Sequence, residues 1–531
     1  MSAGNQTGVE LHRPVPVAPE IMYEIGIYAS SIQLAAVLLA GRAVFWFEKA
    51  VMKNPFTYIL LSLPFSLLLV CMLLPTFDDW TYMTTPYFGD WFSAERVLPN
   101  QNYWRPFDAL FGSVLGLNYH LFPVLNHVVI VIGHLFSAIL VYLIARRLAF
   151  SRLSLFITTL FFYLSPSMLG AVLGIDSINQ IYSHLWGLLA LYLYLTTDGK
   201  WYRHGVMALC VLIATWCKEN GLAWSVIPPL FAYGLSGRLG KQMSRRQLLH
   251  GWMWSMAIVV VYMTLRVAFR YADIADADNE YLQSTLAEKM KDVLTFVGMP
   301  WIPVDYVSVV HAPNRNMWIA AATLMLGLPF IGVLLVRGRK VFSRFSFWTL
   351  LGCWVICASP HLLTLFSSMH AYAGLSMAAL MAGMAADEVR SRKLLKLTFV
   401  AWLLVVLFID YHHWVKSYHS GLTGRKMSLQ AVQSTPGAKQ RVYILIIDHG
   451  ETKYSSFCVI PSDAFAWGYS VPHYTGYQWP EEVSDTVISS RDKALCPVKA
   501  AEAYARGYDW VWIVEGDSVI SYPPQKASPQ H

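Results

Sequence analysis

Charge is what this 531-residue chain has least of. Only 14% of its residues are charged and 56% are hydrophobic, whereas soluble domains average about 25% and about 45–50%. That balance excludes an ordinary soluble globule. Cysteine is sparse as well: there are seven, with no C-x-x-C and no Cys/His metal spacing, which excludes a zinc module and a dithiol redox centre. Cys71, Cys210, Cys217, Cys353 and Cys357 lie in or beside apolar runs and read as small buried hydrophobes. Cys458 and Cys496 are the pair in polar sequence, where a disulfide requires an oxidising compartment. No repeat recurs at a fixed period. The first 20 residues have no apolar core and contain Pro14, Pro16 and Pro19, so no cleavable signal peptide is expected and the first hydrophobic segment stays in the protein.

What the chain has in quantity is apolar stretches of about 20 residues, each able to cross about 30 Å of hydrocarbon with its backbone hydrogen bonds closed internally. Twenty Trp and 29 Tyr suit the two membrane interfaces. The expected fold is mainly α: a polytopic transmembrane helical bundle of about eleven or twelve spans, followed by a small extracytoplasmic α/β domain. Residues 1–20 form a polar tail, 21–411 the membrane module and 412–531 the C-terminal domain. Residues 21–47, interrupted by Glu24 and Arg42, either cross the membrane or lie in its interface. Further spans are expected near 55–75, 121–147, 153–170, 181–196, 205–217, 221–235, 250–268, 317–336, 346–358, 366–386 and 395–411.

The net charge of +7 lies in short loops between these segments. Nucleic acid is therefore not expected as a partner; the charge is an orientation signal. Alternate connections carry seventeen basic residues, among them Arg146, Arg147, Arg238, Arg245, Arg344, Arg392 and Lys393, against eight in the longer opposite loops. Basic loops stay cytoplasmic, so the loops 76–122 and 269–316 and the C-terminal domain are expected outside.

In that domain, Arg441–Asp448 and Asp509–Glu515 read as buried strands, with Lys499–Arg506 as a helix between them. It has no glycine fingerprint and no nucleophile motif, so a lid or docking module is expected.

Chemistry concentrates in the first long loop. Asp78 and Asp79 follow the span 55–75, where paired carboxylates at the edge of hydrocarbon suggest function. One could act as general base toward a hydroxyl, its pKa raised by low dielectric and a like-charged neighbour. Tyr82, Arg105, His120 and His127 follow in the same region. His120, His127 and His134 recur every seven residues on nearly one helical face; with no cysteine or clustered carboxylate beside them, a polar seam is expected for His134 and a pocket lining for the other two. Asp176 lies in a short polar turn. Lys218 and Glu219 interrupt two apolar runs, reading either as a self-neutralising pair at a tight turn or as a site where Lys218 meets an anionic headgroup. The run Asp273, Asp276, Asp278 and Glu280 lacks Ca²⁺-loop spacing and reads as a solvated turn.

Six elements in order carry a resemblance: FDDW at 77–80, YWRPF at 103–107, Asn126-His127 opening a span that ends Ala145-Arg146-Arg147, Leu164-Ser165-Pro166, Lys218-Glu219, and the segment from Tyr372. Over residues 55–410 the chain resembles the GT-C superfamily of integral-membrane glycosyltransferases, in its protein O-mannosyltransferase and TMTC-like branch with bacterial relatives. The resemblance implies an inverting transfer of sugar from a polyprenyl-phosphate carrier to an acceptor hydroxyl on a glycan, lipid or protein, at the extracytoplasmic face of a cell membrane of bacterial inner-membrane type. It implies no cofactor and no metal. Carried onto this chain, Asp78 is the base, Asp79 its catalytic neighbour, and Arg105 and Lys218 hold the donor phosphate, with Tyr82, His120, His127, Asp176, Glu219 and His370 around the pocket. Where relatives often carry an Arg-Tyr pair this chain has His370 in Met369-His370-Ala371-Tyr372. The tail lacks tetratricopeptide repeats and a MIR domain. The alternative class, a transporter or flippase of a lipid-linked sugar, predicts charges at mid-membrane and pseudo-repeats.

Overall fold

The computed structural model describes residues 55–76, 125–196, 201–239, 244–268, 298–305, 316–360, 368–433, 441–449, 465–476 and 483–522, with isolated positions between them that include Asp79, Arg105, Pro106, Phe107, Phe111, Leu115, Phe296 and Ser308. Asp78, Tyr82, His120, Cys458 and the segment 21–47 lie outside the described residues.

The membrane module opens with α1 (Pro55–Cys71), α2 (Leu125–Arg147) and α3 (Arg152–Leu164). Ser165 is extended (φ −59°, ψ 135°) ahead of Pro166, the conformation that a following proline enforces. The chain therefore bends by 40° into a 3-10 turn at Pro166–Met168, the short α4 (Leu169–Val172) and a second 3-10 turn at Ile175–Ser177. Thus the span expected over 153–170 is broken near its end, and the break turns backbone amides toward the loop after α1.

The chain continues through α5 (Ile178–Thr196), α6 (Trp201–Cys217), a 3-10 helix at Glu219–Ser225, α7 (Ile227–Gly234), α8 (Arg245–Ala268), α9 (Met317–Arg337), α10 (Phe345–Ala358), α11 (Tyr372–Glu388) and α12 (Arg392–Gln433). Among the described residues, five helices are long and apolar enough to cross a membrane, or six if the bent pair counts as one span; α1 and α10 are shorter apolar helices. On α8 the exposed side chains include Leu249, Met253, Met256, Val260, Val261 and Val267, a face suited to lipid.

At the centre stands α11, buried at every position from Tyr372 to Ala386. Its sequence YAGLSMAALMAGMAADE consists largely of small residues, which let neighbouring backbones approach closely. A Cβ at Gly383 would lie 1.9 Å from Thr158 Oγ1 of α3, and one at Gly374 would lie 2.6 Å from Trp354 Nε1 of α10.

Two poles result. At one, Asp387 accepts from Ser151 N (3.1 Å) and Ser154 Oγ (2.6 Å) and pairs with Arg238 (3.2 Å), while Arg344 pairs with Glu388 (2.6 Å). This pole gathers the basic loops. The other carries Asp79, Ile175, Lys218 and Met369, which are joined by the contacts described below.

With 42 residues, α12 is about 63 Å long at 1.5 Å per residue. The boundary expected at residue 411 falls inside it. Residues beyond 411 lose hydropathy but remain helical, so polarity ended the expected span without ending the helix. Its far half braces the start of the first long loop: Trp414 Nε1 donates to Leu69 O at 2.8 Å, capping a carbonyl in the last turn of α1.

The same half carries the C-terminal sheet of β1 (Val442–Asp448), β2 (Val483–Ser489), β3 (Trp510–Glu515) and β4 (Ser518–Tyr522), ordered β2-β1-β3-β4. β1 is parallel to β2 and β3, and β4 forms an antiparallel edge. Along β1, Val442 and Ile444 face Met427 and Ala431 of α12, while Tyr443, Leu445 and Ile447 face Ala500 and Ala503 of the helix Cys496–Ala505. Cover on both faces accounts for the unbroken apolar run of β1. The two strands and the helix expected from the sequence are present; β2 and β4 add to them.

Candidate active site

The site is assembled at the pole where α1 ends, and Asp79 is its innermost carboxylate, 2% exposed. Its Oδ1 accepts the backbone N–H groups of Ile175 (2.6 Å) and Asp176 (3.1 Å), and its Oδ2 accepts that of Thr76 (3.2 Å). The 3-10 turn created by the Ser165-Pro166 break thus presents its first amides to an acid from the preceding loop, the arrangement that favours an anion at a helix start. Burial and the neighbouring Asp176 carboxylate push Asp79 well above the usual carboxylate range, against the pull of the three amides. Asp79 therefore clamps the first loop to the 175–177 turn. Asp176 is itself buried and accepts from Ser177 Oγ at 3.2 Å.

A cationic corner adjoins this acidic one. Lys218 is extended (φ −160°, ψ 143°) between α6 and the 3-10 helix that follows, and is buried. Its Nζ lies 3.8 Å from Met369 Sδ, and Ser177 Oγ lies 3.4 Å from the same sulfur. Met369, on the turn before α11, is therefore the joint between the two corners, and half-buried His370 follows it.

Glu219 turns to Arg105 of the first long loop: Arg105 Nε donates to Oε1 at 2.8 Å and to Oε2 at 3.0 Å, and Nη2 to Oε2 at 2.7 Å. This is a forked pair between segments 114 residues apart, with side chains 19% and 24% exposed. Burial alone would raise the Glu219 carboxyl; the Arg105 charge and hydrogen bonds, with Lys218 nearby, outweigh it and hold Glu219 below its ordinary value. Arg105, Lys218 and Glu219 together carry a formal charge of +1. Gly221 makes the turn possible: a Cβ there would lie 2.3 Å from the Ala214 carbonyl of α6.

Asp79, Arg105, Asp176, Lys218, Glu219 and His370 are thus brought to one pole from segments far apart in sequence. His127 is buried on α2, its ring Nε2 lying 3.2 Å from Leu173 O beside the 175–177 turn. His134 forms the expected polar seam, with Nδ1 2.9 Å from Tyr372 Oη and Nε2 3.0 Å from Tyr163 O.

Sequence reasoning missed two groups. One is Asp305, fully buried against His412 and His413 of α12 and accepting from Ser308 Oγ at 2.7 Å. Burial would raise its carboxyl, but hydrogen bonds from the two histidines and Ser308 bring it below the usual range. The other is His184, just inside the bundle near Gln180 of the polar turn and Asn220 of the Lys218-Glu219-Asn220 step; its only sequence signal was polarity within an apolar run. Among the described residues no three His, Cys, Asp or Glu side chains are grouped to hold a metal ion.

No protein-family model matches the chain, and no curated protein matches it in sequence. Among solved structures it is similar to the oligosaccharyltransferase of Archaeoglobus fulgidus in the apo form, at 13% identity over 82% of this chain and 65% of that one, with a TM-score of 0.40. The chain thus spans about two thirds of that protein's length. It is also similar to ArnT from Cupriavidus metallidurans in the apo state, at 11% identity over 88% of this chain and 97% of that one, with a TM-score of 0.49. The same ArnT bound to undecaprenyl phosphate gives 11% identity over 89% and 98%, with a TM-score of 0.46.

Proposed function

We propose that the chain is a polytopic membrane glycosyltransferase of GT-C type, moving a sugar from a polyprenyl-phosphate carrier to an acceptor hydroxyl at the extracytoplasmic face. The observation that carries this reading is the meeting, at the pole opposite the basic loops, of a buried acidic corner (Asp79, Asp176) with a net cationic one (Arg105, Lys218, Glu219) through Met369.

A lipid-linked donor keeps its chain in hydrocarbon and its phosphate at the interface, so its reacting carbon lies at such a pole. Asp78, the residue before Asp79 in sequence, takes the proton of the acceptor hydroxyl as that oxygen attacks the anomeric carbon. The bond from that carbon to the phosphate oxygen breaks, the electron pair leaves with the phosphate, and configuration inverts. Lys218 and Arg105 stabilise the departing charge, with Glu219 holding the Arg105 fork in place. Asp176, His127 and His370 shape the surrounding wall. In this reading no metal or cofactor takes part, and the C-terminal α/β domain stands outside the membrane on α12.

The test is transfer by the reconstituted full chain from radiolabelled polyprenyl-phosphate sugars. Asp78→Asn is expected to abolish transfer while expression and Tm stay at wild-type level; undiminished turnover in that variant sinks the assignment of the base.

A further inference from the structure

Beyond residue 411 the sequence of α12 turns polar, yet one side of the helix stays buried: His413, Trp414, Ser417, Ser420, Gly421 and Gly424. Two contacts on that side reach the end of α1. Trp414 Nε1 donates to Leu69 O at 2.8 Å, and a Cβ at Gly421 would lie 2.7 Å from Leu74 Cβ and 3.0 Å from Leu74 O. Positions 414 and 421 are nearly two helical turns apart on one face, so α12 meets this segment at two levels, with the glycine letting the backbones approach. Trp414 is 5% exposed, and its ring stacks with Tyr411 (centroids 6.0 Å) and Tyr418 (5.3 Å).

The segment held in this way leads straight to the acidic corner. Met72 N also donates to Leu69 O, at 3.2 Å, so that carbonyl takes one donor from its own turn and one from α12. Leu73, Pro75 and Thr76 are buried. Thr76 N donates to Asp79 Oδ2 at 3.2 Å and Asp79 N donates back to Thr76 O at 3.0 Å; Asp78 falls between those two residues in sequence. The neighbouring turn of α12 takes the second long loop, with His412 Nδ1 2.5 Å from Asp305 Oδ2 and His413 Nε2 3.6 Å from Oδ1. One short stretch of α12 therefore locates parts of both long loops, and Trp414 is its hydrogen bond to the one that carries the proposed base.

We infer that Trp414 is a positioning residue for sugar transfer: its indole N–H, with Gly421 beside Leu74, fixes where α1 ends and so where Asp78 is held relative to the donor. The inference rests on the glycosyltransferase reading above and adds to it a residue that touches no reacting atom. Lys218 and Arg105, which hold the donor phosphate in that reading, are themselves held through Met369 and Glu219. Loosening the Trp414 contact therefore falls on kcat and leaves donor KM in place, because misplacing the base costs only the transition state.

The full chain in lipid nanodiscs is to be assayed for transfer from radiolabelled polyprenyl-phosphate sugars, alongside amide exchange over residues 69–76. Trp414→Phe keeps an aromatic ring against the two tyrosines and removes the N–H. Its kcat per folded molecule is expected to fall about two- to tenfold, the equivalent of one hydrogen bond, with donor KM unchanged and faster exchange in that segment. Trp414→His, which keeps a ring N–H, is expected to recover most of the rate; a tryptophan that only packs would leave the two variants alike. Gly421→Ala, which forces Leu74 aside, is expected to lower kcat at constant KM and stands in if Trp414→Phe misfolds. Wild-type kcat in the variant that folds, equal loss in the Phe and His variants, or a rise in donor KM that accounts for the loss overturns the inference. Those outcomes leave the transferase reading standing, whereas a wild type that transfers from no donor overturns both.

Discussion

The Arg105–Glu219 fork offers the most exacting check, because it joins the first long loop to the turn that carries Lys218. Exposed ion pairs couple by roughly 0.2–1 kcal/mol, while breaking a buried one costs about 3–5 kcal/mol. With both side chains about four-fifths buried and three donor–acceptor distances of 2.7–3.0 Å, the coupling should be about 1.5–3 kcal/mol. That corresponds to roughly ten- to hundredfold in local opening. Arg105→Gln, Glu219→Gln and the double variant form the cycle. The assay is amide exchange over residues 218–225, measured by mass spectrometry in nanodiscs. Each single change should lower protection by about that factor, and the double by little more than either single. Protection losses that simply add would refute the pairing. The swap Arg105→Glu with Glu219→Arg separates structure from chemistry: it should recover much of the protection, yet not donor KM, because the cation then leaves the position that the proposed mechanism gives to the donor phosphate.

Other expectations follow from the same contacts. Asp79 has a raised folded pKa, so its contribution to stability is largest in acid and is lost as pH rises through that value. Glu219 has a lowered one, so its contribution is present above the ordinary carboxylate value of about 4.3 and is lost as pH falls through the folded value. Tm measured against pH should therefore peak on the acid side of neutrality, with Asp79→Asn flattening the neutral limb and Glu219→Gln the acid limb; a Tm that falls steadily from pH 7 to 5 contradicts the Asp79 assignment. At the other pole, Asp387→Asn weakens the contacts to Ser151, Ser154 and Arg238 and should cost about 1.5–3 kcal/mol. Because α11 places it about 22 Å from Tyr372 along the helix axis, Tm should drop while kcat per folded molecule is unchanged; a matching loss of kcat would mean that the two poles are coupled.

Helices, basic loops and buried strands could be read from the sequence because they are local properties. A window of Leu, Val and Ile has nowhere to go but lipid or core, and Val442–Ile447 shows its strand by composition. The acidic loop after α1 and the Lys218-Glu219 step were also legible, since charge beside hydrocarbon is conspicuous without coordinates. Pairing was not. Glu219 has Lys218 beside it in sequence, yet its fork partner is Arg105, because the packing of α6 with the turn at Gly221 aims the carboxylate across the pole. Asp79 looked like a twin of Asp78, and only the bend at Ser165-Pro166, which delivers the amides of residues 175 and 176, reveals its clamping role. His184 resembles any histidine in an apolar helix until Phe162, Trp224 and Tyr372 close around it and leave its buried nitrogens without a hydrogen-bond partner. Hydropathy decides whether a segment is buried; which side chains then meet is settled by helix packing over a hundred residues or more, and that information is in no single stretch of the chain.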